Sequence, residues 1–377
     1  MRLAYVVNDL DFFISHRLPL AKKAVELGYS VFIISNKLPS IKYKGIEIRT
    51  FSIERSSISI IKNLKSFMEL KRIIKEISPD FIHSVTLKSI ILSNLALLFD
   101  RKIKKVNAVS GMGYLFTSNR ISVALLGLKF ILRALVLFTK PHFIFQNIND
   151  LNEFKKLGLK DNYSIIKGSG VDKDKYEYRE PYKNEKVNIT FTGRILKDKG
   201  VRELINAVEL LPEKSKSKVC LNLYGKIDLE NPAHITEKDL KKLLIPNFIV
   251  WHGYLKDIKN ALIESDIYCL PSYREGLPKS TLEAMATGRP IVTTNAPGCY
   301  DTVTEGLNGF KVAVGDSKTL SEKLLILIED EPLRIEMGKK SRKIFEDQFT
   351  LSKVVNQTFE LYSEVITKWV VLISLSL

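Results

Sequence analysis

The sequence predicts an α/β protein made of two Rossmann-like parallel-sheet domains that face a central cleft. Three observations carry this expectation. The chain has 377 residues, more than one hydrophobic core usually serves, so two domains with a cleft between them are expected. Short apolar runs alternate with segments of helical period along its length, the pattern of parallel strands joined by right-handed crossovers. The composition, 45% hydrophobic and 27% charged, is that of a cored protein and excludes disorder and collagen-like repetition.

Residues 3–7 read as the first strand, followed by a polar loop and a helix through Leu18, Leu20, Ala21, Ala24 and Leu27 that stops at Gly28. Residues 30–35 form the next strand, 60–77 a helix, 81–85 a strand, 89–99 a helix and 105–109 a strand. Residues 1–170 are thereby an N-terminal domain. A charged, Tyr-rich and aliphatic-poor stretch, 171–186, is the expected linker. The second cycle opens with NITFTGRI at 188 and continues through a helix at 201–211 and strands at 219–224, 248–251, 267–270 and 290–294, so residues 187–350 are a C-terminal domain. Residues 351–377 supply a last helix and an apolar tail, a candidate for crossing back to the first domain. The tail itself, 369–377, is too short to span a membrane.

The formal charge of +16 sits in one half: residues 1–170 hold 27 Lys and Arg against 12 Asp and Glu, and the remainder 31 against 30. Such an asymmetry points to an anionic partner, nucleic acid or an acidic membrane surface, unless it is merely a solvated basic face. Residues 101–140 concentrate it, with eight Lys and Arg and no acid. Within them, 121–139 is apolar except for Lys129 and Arg133, at i and i+4 on one helix face. Two central cations would cost about 2.5–3.5 kcal/mol each in a spanning helix. The segment therefore reads as an amphipathic helix in the membrane interface or as a domain helix with two cations at its edge. The three cysteines, Cys220, Cys269 and Cys299, show no zinc-type spacing and read as buried small hydrophobes in a reducing compartment. MRLAYVVNDL reads as a first strand rather than a cleavable signal, so the expected location is cytoplasmic.

The chemistry concentrates in SYREGLPKSTLEAMATGRPIV, residues 272–292. A buried strand runs into a loop, and a helix begins near Pro278, whose fixed φ suits a first helical turn. N–H groups at such a helix start bind phosphate oxygens, and Gly276 lets the backbone approach a ligand. Glu275 precedes the helix and Glu283 lies inside it. Singly, one Glu is a charge near a helix end and the other a solvated side chain; with the Gly288-Arg289-Pro290 turn that feeds the next strand, they form a pattern. It resembles glycosyltransferase family 4, of the GT-B fold class, whose signature is Glu-x7-Glu in this strand–loop–helix setting. The resemblance implies that Glu275 contacts the donor sugar and Glu283 the ribose, with Gly276, Leu277, Pro278 and Ser280 completing the donor loop.

FTGRILKDKGV, residues 191–201, is similar to the family's Gly-Arg-x4-Lys-Gly loop. Two cations at a strand end can neutralise a departing diphosphate without a metal, and the resemblance gives Gly193, Arg194 and Lys199 that task. GSGVD at 168–172 resembles the family's crossing into its second domain, and 297–312 its closing strand–helix block. PDFIHSVTLKS at 79–89 resembles the subgroup of capsule and surface-polysaccharide enzymes that use undecaprenyl-linked acceptors. NDLDFFISHR at 8–17 would be the first acceptor-side loop, making His16, Arg17, His83 and Lys88 candidate acceptor or diphosphate contacts. The first loop lacks the family's Gly-Gly pair. The loop after 105–109 carries Ser110-Gly111-Met112-Gly113 where many members have a histidine, so Gly111 and Gly113 are candidates only as backbone donors.

Asp9-x-Asp11 and Asp172-x-Asp174 spell a metal-binding pair of another glycosyltransferase fold, but the surrounding pattern is wrong for it; no metal and no cofactor are expected. The reading is thus a retaining transfer from a nucleoside-diphosphate sugar, with UDP-N-acetylhexosamine the guess from the subgroup. The acceptor is a lipid-linked saccharide, reached from the inner face of the membrane through 101–140. A sugar-nucleotide 2-epimerase shares the fold class, but it needs cleft-lining acid/base groups that a chain with five histidines and a Glu-x7-Glu loop does not favour. Nucleic-acid binding lacks aromatic-interleaved basic motifs and is not expected.

Overall fold

The computed structural model describes residues 1–54, 59–100, 102–112, 123–180 and 185–374. The chain divides into two compact units, one of Met1–Ser169 with Val354–Leu377 and one of Gly170–Lys353.

The first unit runs β1 (Arg2–Val7), α1 (Leu10–His16), α2 (Leu18–Glu26), β2 (Ser30–Ser35), β3 (Ile46–Thr50), α3 (Ile60–Ile77), β4 (Phe81–Val85), α4 (Leu87–Ala96), β5 (Lys104–Val109), α5 (Val123–Thr139), β6 (His142–Phe145), α6 (Ile148–Lys156) and β7 (Tyr163–Ile165). Its seven strands are all parallel, in the order β3-β2-β1-β4-β5-β6-β7. On one face Ala4, Val6, Ile34 and Ile82 pack against Leu70, Ile73, Ile74 and Ile77 of α3, apolar positions three and four apart that form one helical stripe.

The second unit runs β8 (Val187–Thr192), α7 (Val201–Glu209), α8 (Glu213–Lys216), β9 (Val219–Tyr224), α9 (Glu237–Lys241), β10 (Ile249–Trp251), α10 (Lys259–Ile263), β11 (Ile267–Leu270), α11 (Lys279–Ala286), β12 (Ile291–Thr294), β13 (Gly309–Val312), α12 (Ser317–Glu329) and α13 (Glu331–Gln348). Its parallel order is β10-β9-β8-β11-β12-β13. Both sheets therefore start in the middle, build outward one way and then reverse. The reversal falls between β1 and β4 in one and between β8 and β11 in the other, and ligands of open α/β sheets bind beyond the strand ends at such a point. The last helix, α14 (Leu351–Ser374), begins in the second unit and belongs to the first from Val354 onward.

Several local expectations need correction. The loop expected at 8–17 is largely helical: Asp9 accepts the N–H groups of Asp11 at 2.9 Å and Phe12 at 3.2 Å and so caps α1, while Phe13 is buried against Tyr5. The helix expected at 89–99 begins at Leu87, directly after Thr86, which adopts φ +75°. Pro278 stands just outside α11 as its N-cap. Cys269 and Cys299 are buried, but Cys220 is half-buried, because β9 alternates and Cys220 falls on its more open face.

Candidate active site

The second unit's reversal point is built by two loops. The first leaves β8 at Gly193, whose N–H donates to the Tyr224 carbonyl at 2.9 Å. Ile195 and Leu196 are fully buried and hold this loop down, and a single 3-10 turn at Lys197–Lys199 ends at Gly200. Gly200 has φ +71°, and a Cβ there would collide with the Pro271 carbonyl just beyond β11; only glycine lets the two strand ends approach so closely.

That approach delivers Lys199 to Glu275, with which it forms an ion pair. Glu275 also accepts from Ser272 Oγ at 2.7 Å, and its N–H donates to the Pro297 carbonyl at 2.9 Å. Gly298, at φ +77°, lies against the Glu275 and Gly276 carbonyls where no Cβ would fit. Arg194 Nη1 lies 2.5 Å from Asp228 Oδ2. Asp198 feels the charges of Lys199, Glu275 and Arg194; burial raises its pKa against the pull of Lys199, and its Oδ1 makes no hydrogen bond.

The second loop enters α11 with Gly276, Leu277 and Pro278 all buried. Pro278 offers no side-chain cap, leaving the helix start to other acceptors. Ser280 Oγ accepts from the Tyr268 hydroxyl at 2.8 Å, and Tyr268 also meets Thr192 at 3.1 Å. Glu283 is only 9% exposed, which excludes the solvated side chain that the sequence alone allows. Burial holds its carboxyl above the ordinary value, against Lys279, whose Nζ is 3.4 Å away, and against the Tyr176 hydroxyl. Gly193, Arg194, Lys199, Glu275, Gly276, Leu277, Pro278, Ser280 and Glu283 thus all lie on the loops that follow β8 and β11 or on the helix α11 that the second loop enters. Asp228, Tyr176, Tyr268 and Gly298 join them from parts of the chain where spacing gives no sign of it, and Ser272 from the 272–292 stretch itself, where the motif does not single it out.

The first unit's candidates are more dispersed. Arg17 and His83 come together in its interior, 4% and 1% exposed. His83 Nδ1 bonds the Tyr362 hydroxyl of α14, and burial with the Arg17 charge lowers its pKa to about 3, so the ring is neutral. Burial likewise lowers the Arg17 pKa, and both Arg17 Nε and His83 Nε2 make no hydrogen bond. His16 stacks on Phe12 at 4.3 Å, Lys88 Nζ donates to the Glu54 carbonyl at 2.5 Å, and Gly111 has φ +111°. Gly113 lies outside the described residues, as do 101 and 113–122 of the basic stretch 101–140 and the last three residues of the tail.

The first Asp of each Asp-x-Asp accepts local N–H groups: Asp9 caps α1, and Asp172 takes those of Asp174 at 2.9 Å and Lys175 at 3.3 Å. Among the described residues no group of three or more His, Cys, Asp or Glu is placed to hold a metal ion, and no helix is long and apolar enough to cross a membrane.

Comparison with known proteins adds to this geometry. Residues 155–344 match the family described as glycosyl transferases group 1, and residues 2–147 match glycosyl transferase 4-like. The chain is 28% identical to the N,N'-diacetylbacillosaminyl-diphospho-undecaprenol alpha-1,3-N-acetylgalactosaminyltransferase of Campylobacter jejuni, over 97% of this chain and 99% of that one. It is 26% identical to the UDP-Gal:alpha-D-GlcNAc-diphosphoundecaprenol alpha-1,3-galactosyltransferase of Escherichia coli, over 87% of each. In fold it resembles HepE of Anabaena, solved with UDP and glucose, at a TM-score of 0.78 and 17% identity, over 96% of this chain and 99% of that one.

Proposed function

Since this chain belongs to the glycosyl transferases group 1 family and is a glycosyltransferase of the GT-B fold, we propose that it moves a sugar from a nucleoside-diphosphate donor to a lipid-linked saccharide in surface-polysaccharide synthesis. One observation carries the donor half of this reading: two cations, Arg194 and Lys199, and two largely buried carboxylates, Glu275 and Glu283, follow adjacent strands at one sheet reversal. Arg194 and Lys199 neutralise the charge that grows on the diphosphate as the C1–O bond breaks. Glu275 holds the sugar, and Glu283 accepts from the ribose hydroxyls. The acceptor hydroxyl attacks C1 on the face the diphosphate leaves, its proton departing with the phosphate, so the anomer is retained. The sugar is an N-acetylhexosamine on UDP.

The acceptor half rests on relatives whose names specify diphospho-undecaprenol acceptors. A lipid-linked acceptor stays in the bilayer, so the enzyme works from the cytoplasmic side, docked peripherally through residues 101–140.

Steady-state kinetics on two variants tests the donor site. Glu283→Ala should raise the donor KM about tenfold or more with kcat little changed, because a ribose contact is the same in ground and transition states. Glu275→Ala should lower kcat roughly 10²-fold, because a sugar contact can tighten as the bond breaks. Wild-type kinetics in both would remove the assignment.

A further inference from the structure

We propose that Asp228 stands in for the donor's diphosphate, pairing Arg194 until a nucleoside diphosphate displaces it; the inference rests on the donor-site reading above. The site carries its own negative charge. Arg194 Nη1 meets Asp228 Oδ2 at 2.5 Å, and Lys199 pairs with Glu275. A phosphate oxygen that approaches a cation already matched by a carboxylate gains its attraction and suffers the acid's repulsion at nearly the same distance. Two phosphates are held well only if at least one pair opens.

The two pairs differ in how open the cation is. Glu275 is fixed from a second side by Ser272 Oγ and through its own N–H, and the Lys199–Glu275 side chains are 19% and 12% exposed. The Arg194 and Asp228 side chains are 30% and 14% exposed, so the two acids are alike and the openness lies on the Arg194 side, whose guanidinium fork suits phosphate as well as carboxylate. The pair with room to exchange is therefore Arg194–Asp228.

Asp228 reaches Arg194 from a loop that the backbone holds in place. Ile195 and Ile227 form a parallel bridge, and Leu196 and His234 an antiparallel one. The Ile195 N–H donates to the Lys226 carbonyl at 3.0 Å, and the Lys197 N–H to the Ala233 carbonyl at 2.8 Å. Those bonds keep the acid beside the diphosphate loop, so exchange needs no movement of the backbone. A carboxylate so placed weakens the empty site's hold on any nucleoside diphosphate. It also recaptures Arg194 when the product, which keeps both phosphates, departs. A purely scaffolding Asp228, which aims Arg194 at the phosphate, makes the opposite prediction.

Calorimetric titration of the full chain with UDP, GDP, CDP and ADP separates the two. Asp228→Asn should tighten the preferred diphosphate roughly five- to tenfold, the scale of one half-open charge pair. Arg194→Gln should weaken it, and adding Asp228→Asn to Arg194→Gln should then give a smaller gain than in the wild type, only the relief of the acid's direct repulsion, because no pair is left to open. Asp228→Ser is the second variant, with thermal melts to show that each folds. Unchanged or weaker binding in both Asp228 variants, while Arg194→Gln also weakens it, overturns the exchange and leaves the donor site standing. Wild-type binding of every diphosphate by Arg194→Gln would sink the donor-site reading, and the exchange with it.

Discussion

Glu283 lies near the middle of an eight-residue helix, almost closed off from water, and burial holds its carboxyl above the ordinary value. A carboxyl whose pKa is higher folded than unfolded keeps its proton more firmly in the native state. Its contribution favours the fold below the unfolded value of about 4.3 and is lost as pH rises through the folded value. Above the unfolded value the buried carboxyl therefore works against the fold, a cost that marks a group retained for a ligand. Glu283→Gln should raise the unfolding midpoint by about 2–4 °C at about pH 8, the shift for roughly 1 kcal/mol in a domain of this size, and the gain should fade towards about pH 4. Differential scanning calorimetry at both pH values decides this, and an equal shift at each would mean that the charge is not its cause. Arg289 is the contrasting residue. Its guanidinium is fully buried and donates to the carbonyls of Ser265 at 2.6 Å, Thr287 at 2.8 Å and Arg179. Burial lowers its pKa to about 10, so it stays charged and serves as a staple between β11, α11 and the stretch before β8.

At the scale of elements, α5 has two apolar faces. Leu125, Leu132, Leu135 and Val136 are buried, while Leu126, Phe130, Ile131, Leu137 and Phe138 are exposed beside Arg133, with Lys129 half-buried. A helix packed only as core would not leave so much apolar surface in water, which is why the membrane-docking proposal is attached to it. Each Lys or Arg near an anionic surface contributes about 1 kcal/mol, screened by salt. Vesicle sedimentation should show binding that rises with anionic lipid, falls with salt and drops at least tenfold when Lys129 and Arg133 are both changed to Glu. Equal binding to neutral vesicles would leave the exposed face without this role. The last helix, α14, shows a different economy. Tyr362 packs against Phe81 and bonds His83, so this helix meets the first unit's sheet through a polar contact as well as an apolar one.

At the scale of the whole molecule, the two units share a strand order, yet among the described residues only the second carries the paired cations and carboxylates at its reversal point. Hydrogen exchange of the full chain with a saturating nucleoside diphosphate should therefore slow amides at residues 193–200 and 272–283 by about tenfold or more. Those after β1 and β4 should be unaffected, and protection confined to them would put the donor in the wrong unit. The sequence by itself determined the alternation of strands and helices, because buried runs and helical stripes are local periodicities. It determined the Gly-Arg-x4-Lys-Gly and Glu-x7-Glu spacings, because each lies within one strand–loop–helix turn. It left α1 hidden, since a cap made by Asp9 and a buried Phe13 within seven residues show little periodicity. Only the tertiary structure decided that Gly200 crosses Pro271 and so brings Lys199 to Glu275, that Asp228 meets Arg194, that Tyr176 reaches Glu283, and that Arg17 and His83 are interior. Those pairings join residues up to 107 positions apart, and no local pattern encodes which strand ends will become neighbours in a sheet that begins at its middle.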